Sequence, residues 1–406
     1  MTPQDSEYYP SQQKEFQTQA ETLALYKAKS SLKIGIPKET MLMENRVALV
    51  PASVTNLVAR GHHIVVEAEA GKKSHYSDRD FAEAGAEILH DTKSVFDCDI
   101  LLKVAPPSAE ELQYFHPNQV LISPLHLPVI SQEYIQTLRK KRVTAIAMEY
   151  LQADDGTFPL VRIMSEIAGI SVVQTAAELL SNPIHGKGLL LGGISGVPPA
   201  KVVILGAGVV AEYATRAALS LGASVRIFDD NIHKLIRIQN RMGRQLYTSS
   251  LNPVTLTQQL MTADVVIGAV HSKTGRTPLL VSEEMVMQMK PGSIIIDVSI
   301  DQGGCIETSQ VTTHDNPTRI VHGVLHYGVP NIPSKVARTA SIGVSNIITT
   351  ILQQAGDTGS IEQLIYQHKG LRNGIYTYKG CLTNEYLSQR FTIKYTPMEL
   401  LLTSII

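Results

Sequence analysis

The sequence of 406 residues predicts an α/β fold in which two parallel sheets flank a cleft. Short apolar runs alternate with helical stretches along the chain, a pattern typical of parallel sheets covered by helices. These runs fall into two groups, one before residue 150 and one after residue 200. Between the groups lies the long apolar segment Ile163–Leu180, which predicts a largely buried helix that connects two domains.

The first group contains five strand-like runs rich in Ile, Leu and Val. Such short runs are typical of strands that are buried on both faces. In chain order they are Leu32–Ile36, His63–Glu67, Asp99–Lys103, Val120–Ser123 and Val143–Ala147. The sequence therefore predicts that these strands form the sheet of a first domain.

The second group also contains five runs and predicts a second sheet. In chain order they are Val202–Leu205, Ser224–Phe228, Val265–Ala269, Ser293–Asp297 and Arg319–His322. A further helix, predicted over Thr339–Leu352, leaves this domain and could return the chain to the first one. Ligand atoms are expected at the carboxyl ends of the strands, where the two sheets face the cleft.

A glycine turn follows the first strand of the second group. Gly206 and Gly208 come directly after Val202–Leu205, and Ala211 opens the next helix. Gly206 permits the turn, Gly208 lets backbone N–H groups approach a pyrophosphate, and Ala211 lets the helix pack closely on the strand. Asp229 ends the next strand and would accept hydrogen bonds from a ribose. The set predicts a dinucleotide site, and a βαβ crossover without a ligand is the alternative.

The acidic residues also indicate which dinucleotide binds. Asp229 and Asp230 would repel a 2′-phosphate, which favours NAD(H) over NADP(H). Arg226 is close in sequence and could compensate, but it alternates with Asp229 along a strand, so the two need not share a face.

Composition and charge exclude several classes of protein. The net charge is −1 and there is no basic stripe, so nucleic acid and anionic membrane surfaces are not expected partners. No run approaches the length of an apolar membrane span, and the first 31 residues contain no apolar segment of a signal peptide. The three cysteines are too far apart for a metal knuckle, so no metal site is predicted. Free thiols suit a reducing compartment, and we expect a cytoplasmic protein.

Four polar residues stand where strands of the two sheets end. Lys103 and Arg46 offer cations for a small acid, although a surface lysine and a structural arginine are the alternatives. His126 exchanges a proton near neutral pH, as oxidation of an amine or alcohol requires. Asp301 follows the fourth strand of the second sheet, where a nicotinamide would lie, but Asp297 ends that strand and spacing alone does not decide between the two. The pattern predicts a dehydrogenase that acts on a small acid in a cleft.

A set of motifs in fixed order resembles the alanine dehydrogenase and transhydrogenase family. The matching segments are Gly35–Thr40, Arg46–Ala48, Leu102–Val104, Leu125–His126, Met164–Gly169, Leu190–Gly193, Asp301–Cys305 and Asn331–Pro333. The resemblance implies two Rossmann-like parallel-sheet domains flanking a cleft, with the NAD domain inserted in a discontinuous substrate domain. We therefore expect an N-terminal extension over 1–31, a substrate domain over 32–160 and 338–406, and an NAD-binding domain over 161–337.

The resemblance also implies an activity, namely the reversible NAD-dependent oxidative deamination of L-alanine to pyruvate and ammonia. Arg46 and Lys103 would then hold the substrate carboxylate and carbonyl oxygen, while His126 and Asp301 would handle protons. The other implied cofactor contacts are Ser165, Val270, His271, Asn331 and Ile332, beside the glycine turn and Asp229. Family members are often hexamers, so a homo-oligomer is expected.

Three alternatives stay open at this stage. Val197–Val202 and Ala105–Pro106 favour an NAD(H)-binding subunit of a transhydrogenase, against which stands His126. Lys103–Pro107 reads Lys-Val-Ala-Pro-Pro where the family usually has Lys-Val-Lys-Glu-Pro, which leaves room for another small amino acid as the substrate. A non-catalytic NAD(H) sensor would need the glycine turn and the ribose acid, but not the four polar residues of the cleft.

Overall fold

The computed structural model describes residues 28–127, 130–272 and 276–403. Most of the predicted N-terminal extension over 1–31 lies outside these residues, and so do residues 404–406.

The described chain forms one eight-stranded and one seven-stranded sheet. In chain order the strands are β1 (Lys33–Ile36), β2 (His63–Glu67), β3 (Glu87–Leu89), β4 (Ile100–Leu102), β5 (Val120–Ser123), β6 (Thr144–Ala147), β7 (Lys201–Leu205), β8 (Ser224–Phe228), β9 (Tyr247–Ser249), β10 (Val265–Gly268), β11 (Ile294–Asp297), β12 (Thr318–Val321), β13 (Val324–Tyr327), β14 (Ile375–Tyr378) and β15 (Cys381–Leu382).

Helices separate most of these strands and cover the sheets. In chain order they are α1 (Pro51–Ala59), α2 (Asp78–Glu83), α3 (Thr92–Val95), α4 (Glu111–Tyr114), α5 (Gln132–Lys140), α6 (Pro159–Ser181), α7 (Val209–Ser220), α8 (Ile232–Met242), α9 (Pro253–Leu260), α10 (Glu283–Met287), α11 (Ala337–Thr358), α12 (Ile361–Gln367), α13 (Lys369–Arg372), α14 (Glu385–Phe391) and α15 (Met398–Thr403). Single 3₁₀ turns occupy Lys72–Ser74, Met148–Tyr150, Val298–Gln302 and Ile332–Val336.

Both sheets share one strand order. The parallel part of the first is β3-β2-β1-β4-β5-β6, and that of the second is β9-β8-β7-β10-β11-β13. Each is the doubly wound order of a Rossmann fold, so the predicted fold class is confirmed. The order reverses between β1 and β4 in the first sheet and between β7 and β10 in the second. Ligands of such sheets bind at the carboxyl ends of the strands beside these points. The candidate site residues follow strands that end at these edges.

The end of the chain returns to the first sheet. Strand β14 pairs antiparallel with β6, and β15 pairs antiparallel with β14. The returning helix α11 packs into the core of the first domain through residues spaced three or four apart, Val344, Ile348, Leu352 and Ala355. The sheet around β1 is therefore built from both ends of the chain, while the exact boundaries at 160/161 and 337/338 stay predictions.

Helix α6 connects the two domains and is the one helix of the described chain long and apolar enough to cross a membrane. It packs instead against α7 and α11. Gly169 allows the contact with α7, because a Cβ there would lie 2.5 Å from the carbonyl oxygen of Val210 and 2.8 Å from Cβ of Tyr213. The apolar residues of α6 are therefore explained by its packing against these two helices.

The sequence missed five strands, for physical reasons that differ. Strands β3 and β9 are three residues long and only partly buried, so neither carries an apolar run. The predicted strand Arg319–His322 is the antiparallel edge strand β12. A two-residue turn follows it, with φ of +51° at His322 and +76° at Gly323, and leads into the buried strand β13. The last two, β14 and β15, are short antiparallel additions to the first sheet.

Candidate active site

The glycine turn of the second sheet lies between β7 and α7. Gly206 has φ of +103°, and a Cβ at this position would collide with the carbonyl oxygen of Ala269. Its backbone N–H donates to the carbonyl oxygen of Phe228 (2.6 Å). Ala211, in the first turn of α7, is fully buried where this helix packs on the sheet. Gly206 and Ala211 therefore serve packing and turn geometry within the protein itself.

Gly208 has a different environment. It is the N-cap of α7, and no side chain of the described residues caps the helix there. A Cβ at Gly208 would meet no atom within 4 Å, and its φ of −77° is open to any residue. Nothing inside the protein therefore requires glycine. The free space in front of the uncapped N–H groups fits the pyrophosphate of a dinucleotide, so the residues of this turn are compatible with NAD binding.

Asp229 fixes the shape of the turn from the next strand. Its Oδ2 accepts a hydrogen bond from the backbone N–H of Ala207 (2.7 Å), and its Oδ1 accepts one from Asn231 (2.8 Å). Arg237 donates to the carbonyl oxygen of Ala207 (2.8 Å), and the ammonium of Lys234 lies 3.7 Å from Oδ2 of Asp229. Neither cation was identified from the sequence, although both lie on the helix that follows the ribose acid.

Arg226 takes no part in this group. Its guanidinium donates to Oγ of Ser224 and stacks over the ring of Tyr247 on β9, with 5.3 Å between the guanidinium carbon and the ring centroid. The alternation along β8 therefore separates it from Asp229, as the sequence indicated.

The loop after β10 reaches the same edge of the sheet. The backbone N–H of Val270 donates to Oγ of Ser299 (3.0 Å), and that hydroxyl donates back to the carbonyl oxygen of Val270 (2.8 Å). His271 follows in an exposed position. Val270 is thus fixed to the 3₁₀ turn after β11, which also carries Asp301.

Arg46 lies in the long loop after β1, at the reversal point of the first sheet. Glu44 binds one edge of its guanidinium through two short hydrogen bonds, from Nε to Oε1 (2.7 Å) and from Nη2 to Oε2 (2.6 Å). A guanidinium has five N–H donors, so the opposite edge keeps two for a carboxylate. Met164 Sδ (3.2 Å) and the carbonyl oxygen of Val104 (3.5 Å) now face those remaining donors, and both are weak acceptors at these distances. Ser165 follows Met164 on α6 and is partly exposed.

The loop that carries Arg46 is bound to the segment where the chain leaves the second sheet. Three of its backbone N–H groups donate to serine hydroxyls: Asn45 to Ser334 (2.8 Å), Val47 to Ser341 (3.0 Å) and Val50 to Ser345 (3.0 Å). Two of these serines lie one turn apart on α11. The second half of the loop, residues 45–50, is therefore held by one helix and the 3₁₀ turn before it.

Asn331 links the two sides of the cleft. It has a left-handed backbone, with φ of +51°, and its Nδ2 donates to Oε2 of Glu44 (2.9 Å). Its backbone N–H donates to Oδ1 of Asp301 (3.2 Å). Ile332, expected beside the cofactor, is buried in the core of the second domain. A continuous hydrogen-bonded path thus joins Arg46, Glu44, Asn331 and Asp301.

The two acids after β11 have different surroundings. Asp297 is 1% exposed and accepts hydrogen bonds from the backbone N–H groups of Ser299 and Cys305, each 3.0 Å long. Asp301 stands in the cleft and reaches solvent. Of the two acids that spacing left undecided, geometry therefore favours Asp301 as the one that meets a substrate.

His126 follows β5 with a left-handed backbone, φ of +48°, and its side chain is exposed. The part-buried carboxylate of Glu149 holds this segment, because it accepts hydrogen bonds from the backbone N–H groups of Leu125 (2.9 Å) and His126 (3.1 Å). The imidazole is therefore positioned through its own backbone, by an acid at the end of the neighbouring strand.

Arg46, His126 and Asp301 are close enough for their charges to act on one another. Although both side chains reach solvent, partial desolvation in the cleft shifts their pKa values. It lowers the pKa of His126, while the charges of Asp301 and Glu44 raise it and that of Arg46 lowers it. It raises the pKa of Asp301, against the hydrogen bond from Asn331 and the charges of His126 and Arg46. Although burial works the other way, Arg46 holds the pKa of Glu44 below its usual range. The structure thus brings together a cation, an imidazole whose neutral form is favoured and a carboxyl group whose protonated form is favoured.

Lys103 follows β4, and its ammonium is buried between two carboxylates. The side chain is 1% exposed, and Nζ lies 2.8 Å from Oε1 of Glu111 and 3.2 Å from Oε2 of Glu39. This differs from the sequence expectation of a lysine open to a substrate. The apolar run before Lys103 continues the buried layer, and two carboxylates compensate the charge there.

The sequence did not identify the acids that hold the site residues in place. Glu44 and Glu149 bind the segments of Arg46 and His126, while Glu39 and Glu111 surround Lys103. No spacing rule connects these pairs except that of Glu44 with Arg46, two residues apart. Their roles arise from tertiary contacts.

Comparisons with known proteins give a consistent result. Two family models match the chain, "Alanine dehydrogenase/PNT, N-terminal domain" over residues 35–168 and "Alanine dehydrogenase/PNT, C-terminal domain" over residues 172–385. An alanine dehydrogenase of Bacillus subtilis is 42% identical over 367 residues, which cover 90% of this chain and 96% of that protein. One of Staphylococcus epidermidis is 41% identical over 369 residues, which cover 91% and 99%.

Solved structures agree with this. An L-alanine dehydrogenase superposes with a TM-score of 0.83 at 37% identity, over 88% of this chain and 99% of that one. A transhydrogenase from Sinorhizobium meliloti superposes with a TM-score of 0.74 at 25% identity, over 87% and 99%.

Proposed function

The chain belongs to the alanine dehydrogenase/PNT family, and from this membership and the site geometry we propose that it catalyses the reversible NAD-dependent oxidative deamination of L-alanine to pyruvate and ammonia. It is an NAD-dependent oxidoreductase. The observation that carries the proposal is the meeting of Arg46, His126 and Asp301 at the carboxyl edges of the two sheets, beside the glycine turn.

The cofactor would be held by the second sheet. The uncapped N–H groups at Gly208 would bind the pyrophosphate, and Asp229 would accept hydrogen bonds from the adenosine ribose. Ser165, Val270, His271, Asn331 and Ile332 stay predicted contacts. When bound, NAD accepts the hydride from the alanine α-carbon.

The residues of the cleft would bind the amino acid and handle its protons. Arg46 presents the edge opposite Glu44, whose two donors match the two oxygens of the alanine carboxylate. The lowered pKa of His126 favours its neutral form, in which an imidazole nitrogen would accept a proton from the substrate or from an attacking water. Asp301 lies near enough to stabilise the imidazolium that results. The expected contact of Lys103 with the substrate stays a prediction against which its burial counts.

Two broader properties belong to the same proposal. We infer a cytoplasmic protein, supported by Cys98, Cys305 and Cys381, which remain unpaired thiols. We also infer a homo-oligomer, hexameric by family resemblance, and light scattering of the purified protein measures its mass directly.

The test of activity is the appearance of NADH absorbance with purified protein, NAD and a panel of small L-amino acids at alkaline pH. We expect turnover with L-alanine and its loss in His126→Ala. The matched control is His116→Ala, an exposed histidine near the amino end of the same strand, which should keep wild-type turnover. Turnover with another amino acid but not with alanine would identify that amino acid as the substrate. NADH binding without any turnover would favour a transhydrogenase-like subunit or a sensor.

A further inference from the structure

The carboxylate of Asp297, the last residue of β11, is buried and binds the segment that follows it. Oδ1 accepts a hydrogen bond from the backbone N–H of Ser299, and Oδ2 accepts one from the backbone N–H of Cys305, each 3.0 Å long. The thiol of Cys305 also donates to Oδ1, over 3.6 Å. Burial raises the pKa of Asp297, while these donors and the hydroxyl of Ser309 lower it. Hydrogen bonds to the ionised form thus compensate in part for the hydration that the carboxylate loses on burial.

The two backbone donors come from opposite ends of one turn. The turn runs over Val298–Cys305, and Asp301 lies in its middle. A further hydrogen bond closes the turn on itself, from the backbone N–H of Gly304 to the carbonyl oxygen of Ser299 (3.0 Å). The place of Asp301 at the end of β11 therefore depends on a carboxylate that binds both ends of its turn.

Two glycines leave room for the side chain of Asp297. Gly268 is its partner on the neighbouring strand β10, and a Cβ there would lie 2.6 Å from Sγ of Cys305 and 2.9 Å from Oδ1 of Asp297. A Cβ at Gly304 would lie 2.8 Å from Oδ2. Gly268 has no positive φ, so the space taken by Asp297 and Cys305 is what requires glycine at this position. The backbone is therefore fitted to the carboxylate from two directions.

The far side of the turn meets the cleft through Asp301. Its Oδ1 accepts the backbone N–H of Asn331, and its charge raises the pKa of His126, so the two side chains are near each other. Arg46 lies on a loop that α11 and the turn before it hold. A shift of the Val298–Cys305 turn would therefore move Asp301 relative to His126 without moving the backbone of Arg46.

We propose that Asp297 is a positioning residue, whose carboxylate binds both ends of the Val298–Cys305 turn and thereby fixes Asp301 relative to His126. This inference rests on the proposed function, in which Asp301 stabilises the imidazolium of His126. Asp297 is 1% exposed and does not itself meet the substrate.

The first experiment removes one acceptor and keeps the size of the side chain. In Asp297→Asn the amide oxygen can still accept one N–H, but the amide nitrogen faces the other as a second donor. We expect kcat to fall at least about tenfold, because a small displacement of a reacting group is costly. The KM for alanine should change less than about threefold, since a different loop holds Arg46.

Asp264→Asn is the matched control. Asp264 is a part-buried aspartate of the same domain, whose carboxylate accepts the backbone N–H of Lys201 (2.9 Å) and pairs with Lys187 (2.9 Å). It stands at the amino ends of β7 and β10, at the edge of the sheet opposite the cleft. This variant should have a lower Tm than wild type and an unchanged kcat.

The pH dependence of kcat/KM distinguishes a displaced Asp301 from the mere loss of a charge. Because the charge of Asp301 raises the pKa of His126, its displacement should move the part of the profile that reports His126 to lower pH, as in Asp301→Asn. Loss of the Asp297 charge alone acts the other way, since that charge raises the pKa of Asp301 and its removal favours the ionised form. An unchanged or raised pKa of His126 in Asp297→Asn would overturn the proposal.

A double-mutant cycle gives a second criterion. In an Asp301→Asn background, Asp297→Asn should lower kcat by less than about twofold, because the charge that it positions is already lost. Equal losses in both backgrounds would show that Asp297 acts independently of Asp301. Wild-type kcat in Asp297→Asn would contradict this inference alone, whereas a wild-type protein without turnover would overturn the proposed function and the inference with it.

The contacts can also be measured in the wild-type protein, by hydrogen exchange resolved to single residues with mass spectrometry. We expect the backbone N–H groups of Ser299 and Cys305 to exchange at least about hundredfold more slowly than in an unstructured peptide. Exchange of either group at the rate of an unstructured peptide would overturn the proposal, whether or not the variants fold.

Discussion

The two glycines of the dinucleotide turn give opposite predictions for the same substitution. Gly206→Ala places a Cβ against the carbonyl oxygen of Ala269 on a backbone with φ of +103°. The left-handed conformation costs about 1–2 kcal/mol and the collision roughly 1–3 kcal/mol more. We therefore expect a loss of about 2–5 kcal/mol in the free energy of unfolding, which is a large part of the stability of a typical domain.

Gly208→Ala should leave the fold intact, because its backbone is ordinary and its Cβ meets nothing within 4 Å. Replacing glycine at such a position commonly adds about 0.4–1 kcal/mol of stability. The new methyl group would fill the space in front of the helix N-terminus, and we expect NADH to bind at least about tenfold more weakly, or ~1.4 kcal/mol.

Thermal unfolding and a fluorescence titration with NADH measure both quantities on both variants. Wild-type affinity in Gly208→Ala would refute the placement of the pyrophosphate at this turn. A large fall in Tm for the same variant would show that glycine is required there by the protein and not by a ligand.

Two further predictions concern carboxylates that hold the site. Glu44→Gln turns an amide N–H toward the donors of Arg46. It should raise the KM for alanine at least about tenfold, while the NADH affinity changes less than about twofold. Glu69→Gln, on the surface, is the control, and equal effects of the two substitutions on the KM would contradict the role of Glu44. Burial raises the pKa of Glu39 from 4.5 to about 7, so the folded state binds more protons than the unfolded state between these values. Wild-type stability relative to Glu39→Gln should therefore fall as the pH rises from 4.5 to 7 and then level off, and a pH-independent difference in urea midpoints would contradict this.

The parts of the fold that depend on local sequence were predictable. Buried parallel strands such as Val202–Leu205 carry continuous apolar runs, and the glycine turn with its acid has a fixed spacing. The return of β14 and β15 to the first sheet was not visible in any run, since both are short antiparallel strands. The place of β14 depends on its pairing with β6, more than 200 residues earlier in the chain, and β15 then pairs with β14.

The site shows the same division. Arg46, His126 and Asp301 stand just beyond strand ends, so topology brings them together once the strands are known. Lys103 also follows a strand, and nothing in its neighbourhood reveals that Glu39, from a different loop, lies against it. Position along a strand predicts which edge of the sheet a residue occupies, whereas the direction of its side chain depends on partners distant in sequence.

The serine contacts of the Arg46 loop have a mechanical consequence. Ser334, Ser341 and Ser345 join that loop to α11 and to the turn before it through three hydrogen bonds. A displacement of α11 would therefore carry the backbone beside Arg46 with it, so the position of the guanidinium is coupled to the helix by which the chain leaves the second sheet.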